Sequence, residues 1–159
     1  MITQVNGDLL TMFKDGQFDA IVHQANTKGI MGGGIALQIK DQFPSAYDDY
    51  KLICNECSEL LTNYARSDTE HGVIFHLFGQ SEIGTHRRMT NYAALSTALM
   101  GAIDERADEI DGTLRIGIPY QMGCGLGGGD WDIVSQLIED THAIFQELDV
   151  DLEITIVKL

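Results

Sequence analysis

The sequence predicts an α/β fold of three layers, α/β/α, with a mixed and mostly parallel sheet between two sets of helices. Three observations carry that expectation. Short runs rich in Val, Ile and Phe alternate with helical runs along the chain, the pattern of layered α/β proteins rather than of bundles or sandwiches. Residues 91–107 place Ala94, Leu95, Ala98, Leu99, Ala102 and Ile103 on one face at helical spacing, which suits a helix covering one side of a sheet. Two junctions between a β-type run and a helical run are dense in glycine: Gly29-Ile30-Met31-Gly32-Gly33-Gly34 and Gly123-Cys124-Gly125-Leu126-Gly127-Gly128-Gly129.

Taken in order, residues 1–5 and 20–24 read as strands, separated by Gly7-Asp8 and the polar turn Lys14-Asp15-Gly16. Residues 35–43 have helical spacing and stop before Pro44, after which Ser45 is positioned to cap a second helix running to about Cys57. Residues 60–65 and 73–78 are the next expected strands, followed by the helix at 91–107 and a strand at 114–120. Asp130 is the expected N-cap of a helix that turns Ile133, Val134, Leu137, Ile138, Ile144 and Phe145 inward, with Trp131 packed behind the glycine loop. Residues 151–159 alternate as a last strand. With 159 residues, 44% of them apolar, the chain matches one domain spanning 1–159.

Charge narrows the partners. A formal net charge of −14, from 24 acids against 10 Lys and Arg, disfavours non-specific nucleic-acid binding, which depends on cations neutralising phosphates. One small phosphorylated ligand is still compatible, if backbone N–H groups and a helix N-terminus make a local positive site. No apolar run approaches the ~20 residues of a membrane span, and the first residues lack the features of a signal peptide, so no membrane partner and a cytoplasmic location are expected. Cys54, Cys57 and Cys124 are expected as free thiols, and Cys54-x-x-Cys57 has no second pair to complete a zinc site, so no metal or other cofactor is expected.

Each glycine junction can present several backbone N–H groups with no side chain in the way, and the helix after it adds the positive end of its dipole. Two such junctions suit a diphosphate. Neither ends in the Gly-Lys-Ser/Thr of a P-loop, and neither has the G-x-G-x-x-G placement of a dinucleotide-binding unit.

Four segments together, Asn6-Gly7-Asp8-Leu9-Leu10, Ile21-Val22-His23-Gln24-Ala25-Asn26, Met31-Gly32-Gly33-Gly34-Ile35-Ala36 and Gly123-Cys124-Gly125-Leu126-Gly127-Gly128, resemble the macro domain, and their order and spacing span nearly the whole chain. The resemblance implies a domain holding ADP-ribose, or its 1''-phosphate, along the C-terminal edge of the sheet, and a monomer is expected. By position it implies that Asp8 and Leu9 meet adenine, that Asn26 meets the distal ribose, and that Met31, Gly32, Gly33, Gly34 and Ile35 form a loop against that ribose and a phosphate. It further implies that Cys124, Gly125, Leu126 and Gly127 lie on the diphosphate. Val157 stands where family members often carry an aromatic residue near adenine. The branch of terminal ADP-ribose glycohydrolases that uses a Lys and an Asp has its positions filled here by Gln80 and Gly127. The resemblance is nearer to the branch that removes phosphate from ADP-ribose 1''-phosphate; removal of ADP-ribose from protein or nucleic acid, and ADP-ribose reading without catalysis, are the alternatives.

Phosphomonoester cleavage needs donors on the phosphoryl oxygens and a group to orient water or protonate the leaving oxygen. His23 is one candidate, since imidazole titrates near neutral pH, although a His in an apolar strand also serves as a core residue. Asp130 is the other, beside its capping role. His86, next to Arg87 and Arg88 in an expected loop, is a further possibility, whereas Cys124 reads as a small turn residue.

Overall fold

The computed structural model describes all 159 residues. Six strands and five helices follow in the order β1 (Ile2–Asn6), α1 (Leu9–Lys14), β2 (Ala20–Asn26), α2 (Gly34–Gln42), α3 (Pro44–Glu56), β3 (Tyr64–Thr69), β4 (Gly72–Gln80), α4 (Tyr92–Ala107), β5 (Leu114–Pro119), α5 (Trp131–Glu147) and β6 (Leu152–Lys158). The strands form one sheet in the order β1-β6-β5-β2-β4-β3. All neighbouring pairs are parallel except β3 with β4, which gives the mixed, mostly parallel sheet expected.

Strand alternation sorts side chains into two cores. From β2, Ala20 and Val22 face one side with Leu95, Leu99, Ile103, Val134 and Phe145 of α4 and α5. Ile21 faces the other, against Leu10, Phe13 and Ile39 of α1 and α2, and Ala25 joins Tyr50 of α3 there. The six expected inward residues of α4 are all buried, and Asn91 caps the helix by accepting a hydrogen bond from the Ala94 N–H at 3.0 Å.

Several boundaries differ from expectation for identifiable reasons. Helix α1 was absent from the sequence reading; Asp8 nucleates it by accepting from the Thr11 N–H at 2.9 Å, and six residues are too few to show a clear 3.6-residue period. Ser45 is not a cap: Pro44 opens α3 at its first turn, where a missing N–H costs nothing, and Phe43 is shared with the end of α2. Strand β3 begins at Tyr64 rather than 60, because Leu60–Asn63 close a turn (Asn63 N–H to Leu60 O, 2.9 Å) with Thr62 at φ 81°. In α5, Ile133 and Ile144 face solvent at 45% and 41% exposure, and the buried stripe is Val134, Ile138, Thr141 and Phe145.

Candidate active site

Strands β2, β4 and β5 lie side by side and parallel, so Asn26, Gln80 and Pro119 end on the same edge of the sheet. That edge opens into a cleft of about 500 Å³ between the two glycine loops. Its lining contains Asn26, Met31, Gly32, Gly33, Gly34 and Ile35 on one side and Gly125, Leu126 and Gly127 on the other.

The first loop ends at Gly33, which precedes α2 without any side-chain cap. The N–H groups of Gly34, Ile35 and Ala36 therefore have no partner, and all three residues line the cleft. In the second loop the carbonyls are used: Gly127 O accepts from Met89 and Thr90 N–H at 2.8 and 3.0 Å, and Gly123 O from Gly129 N–H at 2.9 Å. The N–H groups of Gly125, Leu126 and Gly127 are unpaired. Two sets of backbone donors thus line one cleft, one at the N-terminus of α2 and one in the loop ahead of α5, an arrangement suited to an anion.

Glycine is obligatory in this packing. A Cβ on Gly127 would stand 2.5 Å from Thr90 Oγ1 and 2.8 Å from Gly123 O, and Gly123 itself has φ +76° with Gln24 Oε1 only 2.8 Å from where a Cβ would be. Gly127 consequently leaves no room for an acidic side chain. Leu126 reaches across the mouth, its Cδ1 2.9 Å from the Cβ position of Gly33, so the loops touch over the cleft without filling it.

Asn26 is held rigidly. Its Oδ1 accepts from Lys28 N–H at 3.0 Å, Ile30 N–H at 3.4 Å and the Tyr50 hydroxyl at 2.9 Å, while Nδ2 donates to Ile30 O at 2.8 Å. One Nδ2 hydrogen is left for a ligand. Tyr50 is fully buried and its hydroxyl is also 2.7 Å from Asn26 O. Burial raises its phenol pKa well above the ordinary tyrosine value, so it stays a neutral donor.

Other expected residues lie elsewhere. Asp8 and Leu9 follow β1 on the same sheet edge but outside the cleft lining; the Asp8 carboxylate caps α1 and Leu9 is buried in the core. Cys124 is also outside the lining, its thiol against Met122 O at 3.5 Å, and burial, aided by the nearby Asp130 charge, pushes its pKa up to about 11. Asp130 caps α5 through the Asp132 N–H at 2.8 Å. Neither it nor His23 reaches the cleft.

His23 is fully buried. Its Nε2 lies 2.7 Å from Nδ1 of His76, whose Nε2 lies 2.8 Å from Ser67 Oγ. Desolvation lowers the His23 pKa to about 4 and that of His76 well below its usual value, so both rings are neutral near pH 7. The lining has no Asp, Glu, Lys, Arg or His. Gln24, Gln80, Thr85, Tyr120 and Gln121 were not singled out as ligand contacts by sequence reasoning, although Gln80 was noted as a substituted position; the ends of parallel strands at a sheet edge were the signal that could have found Gln24 and Tyr120.

An open, mostly parallel sheet whose ligand cleft lies at the carboxyl ends of its strands, floored by amide cradles, defines a class of α/β binding domain for anionic ligands. No protein-family model matches the chain. It is similar to an ADP-ribose 1''-phosphate phosphatase of Candida albicans, 30% identical over 155 residues that cover 94% of each protein. A DNA ADP-ribosyl glycohydrolase of Mycobacterium tuberculosis is 30% identical over 158 residues, which are 95% of this chain and 41% of that longer protein. Among solved structures, the macrodomain of Mycobacterium tuberculosis DarG superposes with a TM-score of 0.77 at 26% identity, covering 99% of this chain and 97% of that one. The chain belongs to the macro domain family.

Proposed function

We propose that residues 1–159 form one macro domain that binds ADP-ribose and hydrolyses the phosphoester of ADP-ribose 1''-phosphate. The observation that carries the binding half is the pair of unpaired amide sets, Gly34 to Ala36 and Gly125 to Gly127, facing one cleft. The similarity to the Candida albicans phosphatase over nearly the full length of both proteins supports the choice of substrate.

In this reading the second loop holds the diphosphate, and the first loop with the free Nδ2 hydrogen of Asn26 holds the distal ribose and its 1''-phosphate. Asp8 and Leu9 meet adenine farther along the same sheet edge, and Cys124 supports the second loop from behind. Hydrolysis transfers the phosphoryl group to water: the P–O bond to the 1'' oxygen breaks, water adds to phosphorus, and a proton passes to the leaving oxygen. Amide donors stabilise the charge on the phosphoryl oxygens. Because no strong acid or base lines the cleft, Gln80 orients the water. His23 acts only by packing beneath the site and Asp130 only as a cap.

Release of inorganic phosphate from ADP-ribose 1''-phosphate tests the proposal; binding of ADP-ribose with no phosphate release would overturn the catalytic half. The similarity to the Mycobacterium tuberculosis glycohydrolase favours a second reading, removal of ADP-ribose from nucleic acid. Loss of ADP-ribose from a modified oligonucleotide, with free ADP-ribose 1''-phosphate untouched, would select it. If neither substrate turns over while ADP-ribose binds, the domain is a reader, which the scarcity of ionisable groups in the cleft would then explain.

A further inference from the structure

Behind the second glycine loop lies another cleft, of about 360 Å³, lined by Leu61, Ser81, Arg87, Arg88 and residues 89–93. No acidic residue lines it. Arg87 and Arg88 are exposed and make no ion pair, whereas Arg66, Arg106, Arg115 and Lys28 are each bound to carboxylates. Lys14, Lys40, Lys51 and Lys158 also lack an ion pair, but Arg87 and Arg88 are the only two cations adjacent in the sequence of a chain of net charge −14, and both line an acid-free hollow.

The hollow has further donors. Ser81 contributes a hydroxyl, and the N–H groups of Tyr92 and Ala93 have no partner at the start of α4. The Arg88 guanidinium carbon lies 4.5 Å from the centre of the half-buried Tyr92 ring and so covers one face of it, and a base would stack against this guanidinium–ring pair. Asp130 gives its backbone N–H to the Tyr92 hydroxyl at 3.0 Å, and its carboxylate is engaged in the cap of α5. One stretch of chain serves both clefts: Gly84 and Thr85 line the larger, and Arg87 and Arg88, two and three residues after Thr85, line the smaller.

We infer that the Arg87–Arg88 hollow is a phosphodiester subsite for a short single-stranded nucleic acid. It would seat a phosphate on the two guanidinium groups and a base near Tyr92 while an attached ADP-ribose enters the larger cleft. The net charge limits the contact to one or two phosphates, because a longer strand meets repulsion from the rest of the surface. Only the attachment of ADP-ribose rests on the second reading above, removal of ADP-ribose from nucleic acid; the subsite itself does not.

Titration of isotope-labelled protein with pentathymidylate, followed by NMR, tests it. Shifts are expected at the Nε–H groups of Arg87 and Arg88 and the amides of Tyr92 and Ala93, with an affinity that falls with salt at a log–log slope of about −0.7 per phosphate engaged. An R87Q/R88Q variant should lose about tenfold in affinity for pentathymidylate, the order expected for removing charged phosphate contacts, while its ADP-ribose affinity and melting temperature stay unchanged. Absence of arginine shifts in the wild-type protein would overturn the subsite, as would equal affinity in the variant. A phosphoserine pentapeptide that moves the arginines when pentathymidylate does not would reassign the hollow to protein and overturn the nucleic-acid inference. ADP-ribose failing to move Gly34 to Ala36, with the arginines still responding to pentathymidylate, would count against the proposed function alone.

Discussion

Tyr50 is the residue on which the geometry of Asn26 depends most directly, since its hydroxyl supplies one of three hydrogen bonds to the same amide oxygen. In a Tyr50→Phe variant the ring still stacks on Phe78, so the fold should survive with a loss of about 1 kcal/mol, the net worth of an ordinary hydrogen bond. ADP-ribose affinity should fall by about fivefold as the amide loosens, an effect of about that same size. Calorimetry alongside thermal melts checks both; unchanged affinity would mean that the Lys28 and Ile30 amides suffice. Gly127→Ala should do more damage, because its methyl group meets Thr90 Oγ1 and Gly123 O and must displace backbone. Binding is expected to drop at least about tenfold, the scale of 1–3 kcal/mol of overpacking strain, in the same assay. The sequence made Asn26 and both loops legible, but not the support from Tyr50, because 24 residues separate it from Asn26 and only the tertiary fold joins them.

At the scale of elements, β2 and β4 carry a titration that no local sequence pattern announces. His23 and His76 are directly paired in register across the two strands and buried, which is why both stay neutral in the folded state. An unfolded histidine takes up a proton near its ordinary pKa of 6.5, whereas His23 in the fold resists until about pH 4. Stability from the neutral pair is therefore fully present above pH 6.5 and is lost as pH falls from there towards 4. Each such proton changes stability by about 1.4 kcal/mol per pH unit within that window. Thermal melts from pH 7.5 to 4 should show a steep decline, shallower in a His23→Gln variant; a flat profile would mean that acid enters the pair without cost. In α4 the periodicity was clear because one face is wholly apolar, and Asn91→Ala should cost about 1 kcal/mol in chemical denaturation through loss of its cap. The misplaced start of β3 and the missed α1 have a common origin. Both are settled by a single turn or cap, at Thr62 and Asp8, whose influence does not repeat along the chain.

For the whole molecule, the sheet brings both glycine loops to one edge while keeping ionisable side chains out of the cleft between them. The lining carries no carboxylate, amine, guanidinium, imidazole or thiol. ADP-ribose affinity should accordingly change less than about twofold between pH 6.5 and 8.5, a range in which its diphosphate charge is constant. A competition titration across that range checks it, and a marked inflection would show that a distant group controls the loops. The layered architecture was legible because alternating periodicities repeat over the entire chain; the emptiness of the cleft was not, since it depends on which strand ends become neighbours.

A cradle built of amide N–H groups selects for acceptor geometry rather than for charge. Uncharged linkers that place two oxygens where the diphosphate would sit, such as sulfonyl or dicarbonyl bridges, should keep much of its grip here, whereas a lysine-lined pocket would reject them. For the chemist, that makes membrane-permeable inhibitors a realistic objective for this cleft, with selectivity drawn from the Leu126 arch over Gly33.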